Sequence, residues 1–169
     1  MTDWIVTSDG RFALDHDIVR AALGKGGVKP EADKVEGDGA TPLGRYAIRR
    51  VLYRADRGVR PECALPVRAL RGDDGWCDAP DDPAYNRPVR LPYPASCETL
   101  MREDVLYDVI VVLGHNDDPP VAGHGSAIFL HCAKPGYPPT QGCVALETSD
   151  LLRVLARVQP GDHLVVREA

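Results

Sequence analysis

The sequence is poor in aromatic residues, in net positive charge and in long apolar runs. Aromatic side chains make up only 6% of the 169 residues, too few for the stacking platforms on which single-stranded nucleic acids bind. Lys and Arg number 20 against 25 Asp and Glu, a net charge of −5. A nucleic acid or an anionic membrane surface would select a basic face, so neither is expected as a partner. The longest strongly apolar run, Val109 to Leu113, has the length of a strand, far below the roughly 18 residues of a transmembrane helix. The opening residues MTDWIVTSDGRFALDHD lack the basic segment and apolar stretch of a signal peptide, so the sequence reads as cytoplasmic. Glycine (16) and proline (15) stay below the roughly 25–30% that marks low complexity.

The five cysteines, Cys63, Cys77, Cys97, Cys132 and Cys143, are odd in number, so at least one thiol is free within one chain. His115, His124, His131, Cys132 and Cys143 come with no CxxC pair and match no standard zinc spacing. No metal and no organic cofactor are expected. Gly39 and Gly44 read as turn glycines needing positive φ. Their spacing is neither a Walker A loop nor a dinucleotide fingerprint. A chain of this length makes about one domain and buries roughly 70% of its unfolded surface.

Residues 4–6 and 11–14 flank the turn sequence Thr7-Ser8-Asp9-Gly10 and predict a β-hairpin. Residues 17–23 read as a short helical or turn segment ended by Gly24. Residues 24–44 predict a long loop, of the kind that is functional or disordered. Residues 46–53 predict a strand, 56–94 irregular chain, and 96–101 the start of a helix with Ser96 at its N-cap. Residues 107–113 and 127–131 read as buried strands, 143–146 as a short strand and 163–166 as a last strand. A helix over 150–157 is expected to be capped by Thr148 or Ser149. Strands dominate, so the expected class is mainly β with a few short helices.

The segment Gly123 to Leu146 holds the residues that can do chemistry. A thiol is reactive as its thiolate and needs a nearby base. His131 ends an apolar strand, and Cys143 begins the next one, after a loop. Neighbouring strands could bring imidazole and thiol within hydrogen-bond reach. Gly142 removes side-chain bulk, and the N–H groups of Gly142 and Cys143 could form an oxyanion hole. Thr140 can hydrogen-bond in the same loop. Cys132 alternates with His131 and is expected on the opposite face, as packing. Cys63, Cys77 and Cys97 read as packing thiols, and Asp73-Asp74, Asp81-Asp82 and Asp117-Asp118 as solvated turn residues.

His131, a spacer and Thr140-Gln141-Gly142-Cys143 resemble the active-site motif of the YkuD-type L,D-transpeptidase catalytic domain. Glu36-Gly37-Asp38-Gly39-Ala40-Thr41-Pro42-Leu43-Gly44-Arg45-Tyr46 looks like that family's TPxGxF/Y strand start, in the variant with a preceding EGDG. Trp76-Cys77-Asp78, Tyr85-Asn86 and Gly125 to Phe129 look like its small proteobacterial branch. The resemblance spans nearly the whole chain and implies one catalytic domain over residues 1–169, with the family's β-sandwich or barrel. It implies a cysteine acyltransferase acting on peptidoglycan tetrapeptide stems, with Cys143 as nucleophile, His131 as base and the Gly142 backbone at the oxyanion hole. Thr140, Gln141, His124 and Ser126 become substrate-binding candidates, and a carbapenem should acylate the thiol. Such stems are mostly extracytoplasmic, in tension with the N-terminus. Many members carry a second His where Gln141 stands and an Arg where Ala145 stands. Carboxylate recognition must then come from elsewhere, with His124, Lys134 and Arg45 as candidates. An L,D-carboxypeptidase or amidase-type hydrolase, and an idle peptidoglycan-binding module, are the alternatives. A His131–Cys143 ion pair would give a bell-shaped pH profile with its acid limb set by thiolate formation.

Overall fold

The computed structural model describes residues 1–169. Thirteen strands and one α-helix follow in chain order: β1 (Asp3–Thr7), β2 (Arg11–Leu14), β3 (Asp17–Ala22), β4 (Val28–Pro30), β5 (Thr41–Tyr53), β6 (Val67–Ala69), β7 (Asp74–Cys77), β8 (Pro88–Arg90), β9 (Cys97–Thr99), β10 (Val109–Leu113), β11 (Phe129–Cys132), β12 (Val144–Leu146), α1 (Thr148–Leu155) and β13 (His163–Arg167). The mainly β expectation holds.

The order β10-β11-β12-β3-β2-β1-β13-β5 closes on itself because β5 also pairs with β10. Closure depends on β5, which is 13 residues long. Its first half pairs with β13 through Gly44 to Ala47, and its second half pairs with β10 through Ile48 to Tyr53. Val112 faces Arg50 while Leu113 faces Ile48, so Arg49 is an extra, bulged residue. A bulge bends a strand and increases its twist, which carries β5 from one side of the barrel to the other. The bulge also resets the side-chain alternation, so Ile48 and Val51 both reach the interior.

Two apolar clusters result. The larger fills the barrel and takes Leu151, Val154 and Leu155 of α1. The smaller lies outside it, against a separate sheet of order β8-β7-β9. Strand β10 serves both: Val109, Val111 and Leu113 face the first cluster, Ile110 and Val112 the second. Burial on both faces accounts for its unbroken apolar sequence. Strands β11 and β12 sort likewise. Leu130, Cys132, Val144 and Leu146 enter the barrel, whereas Phe129 and Cys143 face the outer cluster.

Several sequence expectations need correction. Residues 17–22 are a strand paired with β2 and β12, because the turn at Asp15 folds them back as a third hairpin strand. Residues 97–99 are strand β9, not a helix start. Pairing with β7 satisfies their backbone, and a helix this short cannot repay its nucleation cost. The helix begins at Thr148 with Glu147 at its N-cap and no side-chain cap. The long 24–44 loop contains β4 and a 3-10 turn. It is tied down by the Asp38 carboxylate, which accepts from Lys34 Nζ (2.5 Å) and from the N–H groups of Val35 and Ala40 (2.9 Å each). The irregular region 56–94 holds β6, β7 and β8.

Candidate active site

A cavity of about 490 Å³ opens beside the ends of β11 and β12, with Cys143, His131 and Ala145 on its wall. Parallel pairing sets His131 beside Ala145. Side chains two apart on a strand share a face, so Cys143, Ala145 and His131 all point the same way. Thr140 and Gln141 line the cavity from the preceding loop, and Glu98, Arg102 and Tyr107 from the side of the small sheet.

The Cys143 side chain is only 7% exposed. Its Sγ donates to the Ala127 carbonyl (3.1 Å) and accepts from the Phe129 N–H (3.3 Å). Burial, reinforced by the charge of Glu98, pushes the thiol up to about 12. His131 is buried, and its Nδ1 lies 2.8 Å from the Cys132 carbonyl. A carbonyl only accepts, so Nδ1 carries the proton and the Nε2 lone pair is free, the tautomer a general base needs. Burial draws the imidazole down to about 4. No hydrogen bond joins the two groups; the thiol is held by Ala127 instead. Thiol and imidazole are therefore both neutral at pH 7, and the ion pair considered from sequence is not the resting state.

The loop before Cys143 is folded by its own side chain. Thr140 Oγ1 donates to the Cys143 carbonyl (2.6 Å) and accepts from the Gly142 N–H (3.1 Å). Backbone bonds from Thr140 N to Leu23 O (2.9 Å) and from Lys25 N to Thr140 O (2.8 Å) fasten the loop to the end of β3. The Gly142 N–H is thus occupied by Thr140 rather than turned to an oxyanion. Gly142 has φ +129°, and a Cβ there would lie 2.9 Å from the Ala40 carbonyl oxygen, so only glycine fits. Thr140→Val keeps the shape but leaves a carbonyl and an N–H unpaired. It should cost about 1–2 kcal/mol, read as a lower denaturation midpoint, and slow labelling of Cys143.

Ser126 lines the cavity, but its Oγ (2.6 Å) and N–H (3.1 Å) both donate to Glu36. Gln141 is exposed at the cavity wall. His124 is exposed and is not among the lining residues, and Arg45 is paired with Asp3 (2.8 Å) away from it. Of the cations considered from sequence only Lys134 reaches the cavity, and Arg102 joins it. Asp104 bridges the two, at 2.7 Å from Arg102 and 3.3 Å from Lys134. Those two cations hold the Asp104 carboxyl well below the usual carboxylate range.

Three further residues, none of them a site candidate from the sequence, shape the site. Asn86 accepts from Trp76 Nε1 (2.9 Å) and Ala127 N (3.0 Å) through Oδ1. Its Nδ2 donates to the carbonyls of His115 (3.1 Å) and Asn116 (2.6 Å). Asn86 thereby holds Ala127, a non-glycine residue at φ +52°, whose carbonyl receives the thiol. Tyr107 meets the His131 ring edge-on at 5.4 Å and donates to Glu98. Glu98 is pushed up by burial. Only Asn86, within the Tyr85-Asn86 motif, carried any signal in the sequence. No group of three or more His, Cys, Asp and Glu side chains converges as a metal site requires.

The family model for the L,D-transpeptidase catalytic domain, YkuD, matches residues 4–166. No curated protein sequence matches the chain. Among solved structures, the chain is similar to L,D-transpeptidase 3 from Mycobacterium tuberculosis in complex with a faropenem-derived adduct. The TM-score is 0.47 at 15% identity, over 98% of this chain and 60% of that one.

Proposed function

Because the chain belongs to the L,D-transpeptidase catalytic domain family, we propose that it is a cysteine acyltransferase acting on peptidoglycan tetrapeptide stems. Residues 1–169 are read as one catalytic domain. The observation that carries this is the placement of His131 on β11 and of Cys143 immediately before its neighbour β12, both facing one cavity, with the imidazole in the tautomer that leaves Nε2 free.

In the reaction the thiol turns from the Ala127 carbonyl toward Nε2. Cys143 Sγ attacks the carbonyl that joins the L-centre to the terminal D-residue, and His131 takes the thiol proton. The Cys143 N–H is the amide left to face the oxyanion, since Gly142 is held by Thr140. Collapse of the tetrahedral species breaks the C–N bond, and His131 returns the proton to the leaving amine. The thioester then passes to an acceptor amine, or to water. Arg102 and Lys134 supply the positive charge for a stem carboxylate that Ala145 cannot supply.

The test is an intact mass after incubation with a carbapenem. One covalent adduct is expected on the wild type and none on Cys143→Ala. An unmodified wild type, or the same adduct on the variant, overturns the nucleophile. Tetrapeptide muropeptides digested with and without an added D-amino acid then separate transfer from hydrolysis.

A further inference from the structure

Four cysteines take no part in the proposed reaction. Cys132 is sealed in the barrel and Cys63 stands apart, but Cys77 and Cys97 face each other at the end of the β7–β9 pairing. The hydrogen-bond pattern defines their geometry. The Cys77 N–H donates to Arg87 O (3.0 Å) and its carbonyl accepts from Asn86 N (2.9 Å). Both bonds run to the β8 side. Toward β9 the bonds come from alternate residues, Asp78 N to Ser96 O (3.2 Å) and Leu100 N to Asp74 O (3.1 Å).

Cys77 and Cys97 are therefore a non-hydrogen-bonded antiparallel pair. Their Cα atoms are expected about 4.5 Å apart, inside the roughly 4.4–6.8 Å span of disulfides. The two residues are direct cross-strand partners, and the neighbouring Cys77 helps to raise the Cys97 thiol. Cys97 is partly exposed while Cys77 is fully buried. A small reagent thus reaches one sulfur only, and the second is positioned to resolve the product.

We propose that Cys77 and Cys97 form a modification site, a dithiol that a low-molecular-weight disulfide oxidises to a cross-strand disulfide. The Cys97 thiolate attacks one sulfur of the reagent, breaks its S–S bond and releases one reagent thiol. Cys77, deprotonated in turn, attacks Cys97 Sγ in the mixed disulfide and releases the second. Two electrons pass from the protein dithiol to the reagent, and the two thiol protons end on the released thiols. Burial and the neighbouring Cys77 push the Cys97 thiol up to about 11. Exchange therefore quickens about tenfold per pH unit below that value. The next residues on, Asp78 and Glu98, line the cavity, so the link pins the wall opposite Cys143.

The experiment treats the folded protein with oxidised glutathione at about pH 9. The expected product has lost about 2 Da by intact mass. It alkylates at three of its five cysteines and yields one peptide linking Cys77 to Cys97. Its melting temperature should rise by roughly 5 °C, reversed by dithiothreitol. Cys97→Ser, altered at the partly exposed position, should keep four alkylatable thiols and show no rise. Five alkylatable thiols after oxidation, glutathione persisting on Cys97, or a link through any other cysteine would overturn the proposal. None of these readouts depends on Cys143 being reactive.

Discussion

Lowering the pH from 7 should leave the rate of Cys143 acylation by a carbapenem level until about pH 5, then cut it along a limb centred at about 4. His131 sets that limb. Burial disfavours the imidazolium and draws it down to about 4, where an exposed histidine would titrate near 6.5. Above the limb Nε2 is free to take the thiol proton. Below it the base is already protonated and the rate falls. No preformed thiolate contributes, because the thiol is pushed up to about 12. His131→Gln should lower the plateau about 10²–10⁴-fold, the usual worth of a positioned base, and abolish the limb. A wild-type limb near 6.5, or one that survives in the variant, would show that another group controls the reaction. Circular dichroism at each pH keeps unfolding apart from chemistry. That control is needed because His115 is also buried and also drawn down to about 4. For a base with a depressed pKa the unfolded chain binds the extra proton. Both histidines therefore contribute stability that is fully present above about pH 6.5 and lost as pH falls toward 4.

Replacing Asn86 by alanine should be among the most damaging single changes away from Cys143 and His131. The side chain is 5% exposed and makes four hydrogen bonds at once. Truncation strands two donors, Trp76 Nε1 and the Ala127 N–H, together with the side-chain bonds to two carbonyls. Each buried group left unpaired costs about 1–3 kcal/mol, and partial rescue by water brings the loss to roughly 4 kcal/mol. Chemical denaturation measures it as a lower midpoint with an unchanged slope. The functional effect is separate. Ala127 at φ +52° is held by that bond, and its carbonyl receives the thiol, so acylation should slow in the fraction that remains folded. Asn86→Asp keeps the acceptor for Trp76 and Ala127 but removes the donor to the two carbonyls. It should fall between wild type and Asn86→Ala. A wild-type midpoint for Asn86→Ala would refute the role of this residue as the anchor of the Ala127 turn.

The parts of the fold legible in the sequence are those whose signal is local. The apolar runs at 109–113 and 127–131 name their strands without help, because burial on both faces leaves a near-continuous apolar pattern. The misread segments lie where a partner decides. Residues 17–22 carry apolar spacing compatible with a helix, and only β2 and β12 beside them make a strand. Residues 97–99 contain a good capping residue just before them, yet the unpaired edge of β7 claims their backbone. The bulge at Arg49 has no mark in the sequence, and without it β5 would not reach β10.

For the site, the sequence alone determined the nucleophile and base candidates, the loop that joins them and the opposite orientation of Cys132. Chain order and side-chain chemistry suffice for those, because the residues lie on two successive strands. The tertiary structure decided which charges share the cavity. Arg102 and Glu98 arrive from a distant segment, Glu36 from the long loop, and His124 and Arg45 stay outside. It also decided the protonation of the pair. A thiol and an imidazole are neutral or charged according to how much water surrounds them and what they bond to. Both depend on β7, β9 and the Ala127 turn closing over strands far away in the chain.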